Sequence, residues 1–186
     1  MQTQSAGIIA TSLASINAIN ERITRLQEEA KLERQKALEP FLAELAASGE
    51  VSLIVVRGYT PGFNDGEPCT HGADVYINIS DIVHEGIADS IGLDLPENLE
   101  DEILYEKRWN SETRNYDIDE GILKRNREVC AAIGHVYDKP SAEIVGAINA
   151  LIFETAEEEN ETDYYVAYVL KDGKFEMTSG DYECGY

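Results

Sequence analysis

At 186 residues, with 36 Asp+Glu against 15 Lys+Arg and a formal net charge of −21, the chain is long enough for one ordinary core plus an extended arm. Its 43% hydrophobic content excludes wholesale disorder, and it holds no run of 18 apolar residues that would read as a helical membrane span. The polyanionic balance opposes direct binding to nucleic acid or an anionic membrane and favours basic partner surfaces.

The charge is unevenly placed. Residues 1–48 hold six acids and five bases, whereas residues 49–186 hold 30 acids and 10 bases. The pattern predicts a near-neutral arm over 1–48 joined to an acidic domain over 49–186. The start has neither a basic n-region nor an apolar h-region, so a secretory leader is not expected. Three cysteines at wide spacings (Cys69, Cys130, Cys184) make no disulfide framework and fit a reducing cytoplasm.

In chain order, residues 8–47 read as helix. Leu13, Ile16, Ile19, Ile23, Leu26 and Ala30 recur at three- and four-residue steps among charged neighbours, with about two heptads over Ile16–Ala30. Pro40 predicts an interruption, followed by a second amphipathic piece (Phe41, Leu42, Leu45) that stops at Ser48 and Gly49. The stripe either packs on the chain's own body or pairs with a second copy. Residues 51–57 form a β-branched strand, 58–72 a Gly/Pro/Asn/Asp loop, and 73–79 a second strand with Val75, Ile77 and Ile79 on one face. Ser80 and Asp81 cap a short helix to Ile91. The acidic segment 94–120 is loop-rich, with a helical stretch near Glu97–Trp109. Helices follow over Asp119–Tyr137 and Ser141–Glu158, with Pro140 in the first turn of the latter. Asp163–Leu170 and Phe175–Tyr182 form a terminal hairpin turned by Asp172 and Gly173.

The segment YTPGFNDGEPC (Tyr59–Cys69) resembles a stretch, roughly YTPYFNDGDPC, in a group of small phage and bacterial proteins. The chain keeps Tyr59, Thr60, Pro61, Phe63, Asn64, Asp65, Gly66, Pro68 and Cys69. Gly62 replaces an aromatic, Glu67 replaces Asp, and Thr70, His71 and Gly72 intervene before the next strand. Asp172–Gly173 and Asp181–Tyr182 echo that group's C-terminal hairpin. The resemblance implies a strand-linking loop and a phage association; it implies no activity. By residue chemistry alone, Pro61 and the Asn64–Gly66 turn suffice to make this an architectural loop.

Candidate chemistry is sparse. Cys69 and His71 stand two residues apart, and Cys184 could join them, but structural zinc normally uses paired elements that are absent here. Asn64, Asp65 and Glu67 lack the spacing of an EF-hand. Cys69 with His71, His84 or His135 is the one conceivable nucleophile–base pairing, and no nucleophile-elbow or phosphate-loop motif is present. Neither an enzyme nor a cofactor is expected.

The sequence therefore predicts an α+β fold: a four-stranded antiparallel sheet with helices on one face, preceded by the helical arm. The expected function is that of a phage-encoded accessory protein that binds and inhibits a basic, nucleic-acid-handling host protein in the host cytoplasm, its acidic surface competing with DNA. Partner contacts are expected from Glu97, Glu100, Asp101, Glu102, Trp109, Glu154, Glu157, Glu158, Glu159, Tyr164 and Tyr165. A homodimer seam is expected at Leu13, Ile16, Ile19, Ile23 and Leu26. The alternatives are a self-associating assembly factor whose charge only solubilises, and a small metalloprotein built on Cys69 and His71.

Overall fold

The computed structural model describes residues 2–61, 69–84, 86–96, 98–160 and 162–182, without the side chains of 2–11, 84, 89 and 90. The chain opens with α1 (Gln2–Ser48), a single helix of 47 residues. Pro40 lies inside it and does not interrupt it. The carbonyl deprived of its partner belongs to exposed Lys36, where water can serve it. Leu38, Phe41, Leu42 and Leu45 meanwhile pack against the sheet on both sides of the proline. The helix stops at Gly49, whose φ of 70° is the left-handed conformation that glycine adopts without strain.

The strands β1 (Leu53–Tyr59) and β2 (Gly72–Ile77) follow, then the short helices α2 (Asn78–His84), α3 (Ile87–Ile91) and α4 (Leu99–Glu102). A small hairpin, β3 (Lys107–Asn110) and β4 (Asn115–Ile118), leads into α5 (Glu120–Ala132). The helices α6 (Ala142–Ile148) and α7 (Glu154–Glu159) are joined by a π-helical turn over Asn149–Phe153. The chain closes with β5 (Tyr164–Lys171) and β6 (Lys174–Asp181). The main sheet has the order β2-β1-β5-β6, every pair antiparallel. The β5–β6 turn places Asp172 and Gly173 at φ 49° and 78°, the two positive values that a tight hairpin turn demands.

The sheet has helices on both faces, not one. Ile54 and Val56 point toward Leu45, Ile148 and Ile152; Leu53 and Val55 point toward Ile79, Ile82, Ile87 and Cys130. Val51 through Val56 are all fully or nearly fully buried, so β1 has no polar face to give to water. A continuous apolar run of this kind signals burial on both sides, each large side chain contributing roughly 1.5–3 kcal/mol.

Two further expectations are corrected. Ile79 does not share a face with Val75 and Ile77. The strand ends at Ile77, Asn78 turns the backbone at φ 63°, and Ile79 enters the opposite core. Of the stretch expected to be helical near 97–109, the described residues 98–109 are helical only over Leu99–Glu102, and Lys107–Asn110 is a strand. Asn110 Oδ1 accepts from the backbone N–H of Glu112 and Thr113, and Arg114 sits at φ 53°, which folds the segment back on itself. On α5, Asp119 caps by accepting from the N–H of Gly121 and Ile122, and Gly134 at φ 79° follows the last turn. The helix therefore stops short of the Tyr137 expected from periodicity.

Between α5 and α6, Ser52 Oγ accepts from Val136 N–H at 2.8 Å and lies 3.3 Å from His135 Nδ1. Desolvation holds His135 below its ordinary 6.5. The folded state thus binds this proton less readily than the unfolded chain, and the contribution is intact above pH 6.5 and lost as pH falls below it. Comparing wild type with His135→Gln by urea unfolding from pH 7.5 to 5, the wild type is expected to lose more stability on acidification. Parallel pH profiles would remove His135 as the cause.

Candidate functional site

The arm is the largest uncovered feature. Every side chain from residue 12 through 30 is exposed, and Leu13, Ile16, Ile19, Ile23 and Leu26 are 54%, 51%, 58%, 47% and 52% accessible. Only the last third of α1 reaches the sheet. No helix among the described residues is long and apolar enough to cross a membrane.

The acids expected to face a partner serve several different roles. Glu158 pairs with Arg34, Gln35 Nε2 donates to Glu159 Oε1 at 3.1 Å, and these contacts fasten α1 to α7. Glu157 accepts from the Tyr164 hydroxyl and from His71. Tyr164 is a core residue at 4% exposure, not a surface anchor, and burial followed by its hydrogen bond to Glu157 holds its hydroxyl proton firmly. Tyr165 is half-buried beside the opposite core. Glu154, Glu100 and Asp101 are exposed and Glu102 half-exposed, while Glu97 lies outside the described residues.

Most of the Tyr59–Cys69 segment (62–68), like Cys184, also lies outside the described residues. Its two ends meet at a polar cluster. Thr60 Oγ1 is 2.6 Å from Thr162 Oγ1 and 3.4 Å from His71 Nδ1, and His71 Nε2 is 3.3 Å from Glu157 Oε1. Thr60 N–H donates to Asp163 Oδ1 at 2.9 Å. The order hydroxyl–imidazole–carboxylate is that of a nucleophilic relay, but the Thr60–His71 separation lies at the outer edge of a hydrogen bond. The cluster latches the loop ends to α7. Cys69 is exposed, and no group of three or more metal-binding side chains occurs among the described residues. Cys130 is buried, and desolvation pushes its thiol up to about 11, away from reactivity.

Sequence reasoning missed two features. Arg57 lies over the rings of Tyr59, Tyr76 and Tyr182 at 4.8–5.6 Å, donating to the Tyr76 hydroxyl at 2.6 Å and the Tyr182 hydroxyl at 3.2 Å. It packs among the tyrosines at this end of the sheet. Strand alternation alone puts Arg57, Tyr59 and Tyr76 on one face once the β1–β2 register is known.

The second is the β3–β4 hairpin. Trp109 is not among acids. It pairs with Tyr116 across the hairpin, ring centroids 5.3 Å apart and 68° between planes. Comparison with protein-family models, with curated proteins and with solved structures finds no match to this chain.

Proposed function

We propose that the chain is a partner-binding protein that acts as an antiparallel pair, two arms joined along their apolar stripes and an acidic domain carried at each end. The uncovered stripe of α1 carries this reading. Ile16, Ile23 and Ala30 occupy one seam position of the heptad, and Ile19 and Leu26 the other.

Charge decides the direction. In a parallel pair Arg22 would face Gln27, and Glu29 would compete with Glu158 for Arg34. An antiparallel pair sets Ile23 of one copy against Leu26 of the other and brings Arg22 to Glu29 twice. It also separates the two anionic domains by about 40 Å along the helices at ~1.5 Å per residue, well past the screening length of about 8–10 Å. A parallel pair would hold them side by side.

Sedimentation equilibrium is expected to show a dimer for the full chain and a monomer for Ile19→Asp/Ile23→Asp, with at least a 100-fold weaker association. Arg22→Glu should weaken pairing, and Arg22→Glu/Glu29→Arg should restore it. A full chain that stays monomeric near 100 µM would sink the proposal. The exposed acids Glu100, Asp101 and Glu154 fit the further reading that the domains compete with DNA for a basic host protein. An affinity for such a protein unchanged between low and high salt would remove that reading.

A further inference from the structure

The body's charge is itself divided. Residues 107–139 hold seven of the ten bases found after residue 48, with six acids, whereas the rest of residues 49–186 holds three bases and 24 acids. This near-neutral island comprises β3, β4, α5 and the loop after it.

On one face of the hairpin lie Lys107, Trp109, Tyr116 and Ile118, paired Lys107 with Ile118 and Trp109 with Tyr116. Trp109 and Tyr116 are each 58% exposed and Ile118 53%. A lone two-stranded hairpin is marginal in water, and this one turns its apolar face outward with none of the described residues over it. Lys107 makes no ion pair among the described residues.

Lys107 and Ile118 also form the lip of a groove of about 540 Å³, a volume suited to a side chain or small ligand. Tyr105 and Leu123 wall it. Its ionic lining is fixed in place: Arg127 grips Asp138 through two bonds of 2.7 and 2.9 Å, and Lys139 meets Asp81 at 2.8 Å. Ser80 also lines it. Its hydroxyl is buried, the residue 9% exposed, and has no hydrogen-bond partner among the described residues. A buried hydroxyl left unmatched is costly, and a preformed groove beside it is where the missing partner belongs.

We infer that the hairpin face and this groove form a docking site for a short peptide segment of a protein partner. That segment carries carboxylates beside an aromatic or aliphatic side chain. Its apolar residue lies along Trp109 and Tyr116 or enters the groove, a polar atom meets Ser80 Oγ, and a carboxylate meets Lys107. Charge argues for a peptide over a nucleic acid, because a polyanion would extend beyond the island into the surrounding acids, while a segment with two or three carboxylates stays within it. The site shares no residue with the arm seam and does not depend on pairing.

Trp109 is the single tryptophan of the chain, so its emission reads this surface directly. Random dodecapeptides would be selected on the full chain and the enriched sequences titrated while following Trp109 emission and acrylamide quenching. Enriched peptides should pair Asp or Glu with Trp, Phe or Leu, shift emission to the blue and shield the indole. Lys107→Glu and Ser80→Ala should each weaken binding tenfold or more, and Lys171→Glu, a base outside the island, should leave it unchanged. Circular dichroism and urea unfolding confirm that each variant is folded. The inference is overturned if the selected peptides are Lys/Arg-rich, if no selected peptide moves the emission, if the folded Lys107 and Ser80 variants bind as wild type, or if a dT oligonucleotide shifts the emission as the peptides were expected to.

Discussion

Asn78→Ala is expected to remove about 4–6 kcal/mol of folding stability, enough to leave a domain of ordinary stability at the edge of unfolding. Asn78 is fully buried and stands where β2 turns into α2. Its Oδ1 accepts from Ser52 N–H at 2.9 Å, and its Nδ2 donates to the carbonyls of Glu50 at 2.8 Å and Asp138 at 2.6 Å. One side chain therefore ties the entry to β1, the exit from β2 and the loop after α5. Alanine leaves the buried Ser52 N–H and two part-buried carbonyls without this partner, at roughly 1–3 kcal/mol for the buried donor and toward the low end of that range for each carbonyl. The left-handed φ of 63° adds about 1 kcal/mol for a residue that has a Cβ and no local hydrogen bond. Asn78→Gly separates the two contributions, since glycine accepts the φ and still lacks the bonds. It should recover about 1 kcal/mol of the loss in urea unfolding. If alanine and glycine both cost under about 1 kcal/mol, the three bonds do not hold this junction together.

The second large effect is expected at Gly58. Tyr164 is its cross-strand partner, and a Cβ at position 58 would stand 2.2 Å from the ring's Cε1 and 2.7 Å from Cζ. The ring lies flat over the glycine and reaches past it to Glu157. Gly58→Ala must displace a buried ring and break that contact, at a cost of about 2–4 kcal/mol from overpacking plus a lost charged hydrogen bond. The effect belongs to the pair. In a Tyr164→Val background the same substitution should cost less than about 1 kcal/mol, and equal costs in both backgrounds would rule out the ring contact as the cause.

These two positions mark how far the sequence could be read. The apolar run in β1, the Asp172–Gly173 turn and the long helix are local signals. They predicted the antiparallel sheet and α1, which the structure shows. What escaped depended on distant partners. Nothing local in Leu53–Val56 tells which helices cover each face, and Pro40 passes within α1 because Leu38 and Phe41 dock on either side of it. Glu157, Glu158 and Glu159 carry no local sign of what they meet, and were expected to face a partner. Their partners, Tyr164, Arg34 and Gln35, could be recognised only from the fold. The β3–β4 hairpin was missed for a different reason: its strands are four residues each with no buried position to impose a period of two. The island it belongs to was hidden by averaging, since the charge of segment 94–120 combines the acids of α4 with the bases of β3.

The π-helical turn over Asn149–Phe153 bears on this in another way. Such a turn takes in one residue more than an α-turn, and one residue is about 100° of rotation around the axis. Ahead of it Ile148 is seated in the core; beyond it Ala156 is buried and the next three acids reach Tyr164, Arg34 and Gln35. The attachment of the arm is thus a matter of helical phase. Substitutions at the exposed Ala150 change little; wound as regular α-helix, the same number of residues would swing the three glutamates about 100° away from their partners, and deleting Ala150 would let a regular helix bring them back. In this stretch the count of residues governs the join between arm and sheet more than their identity does.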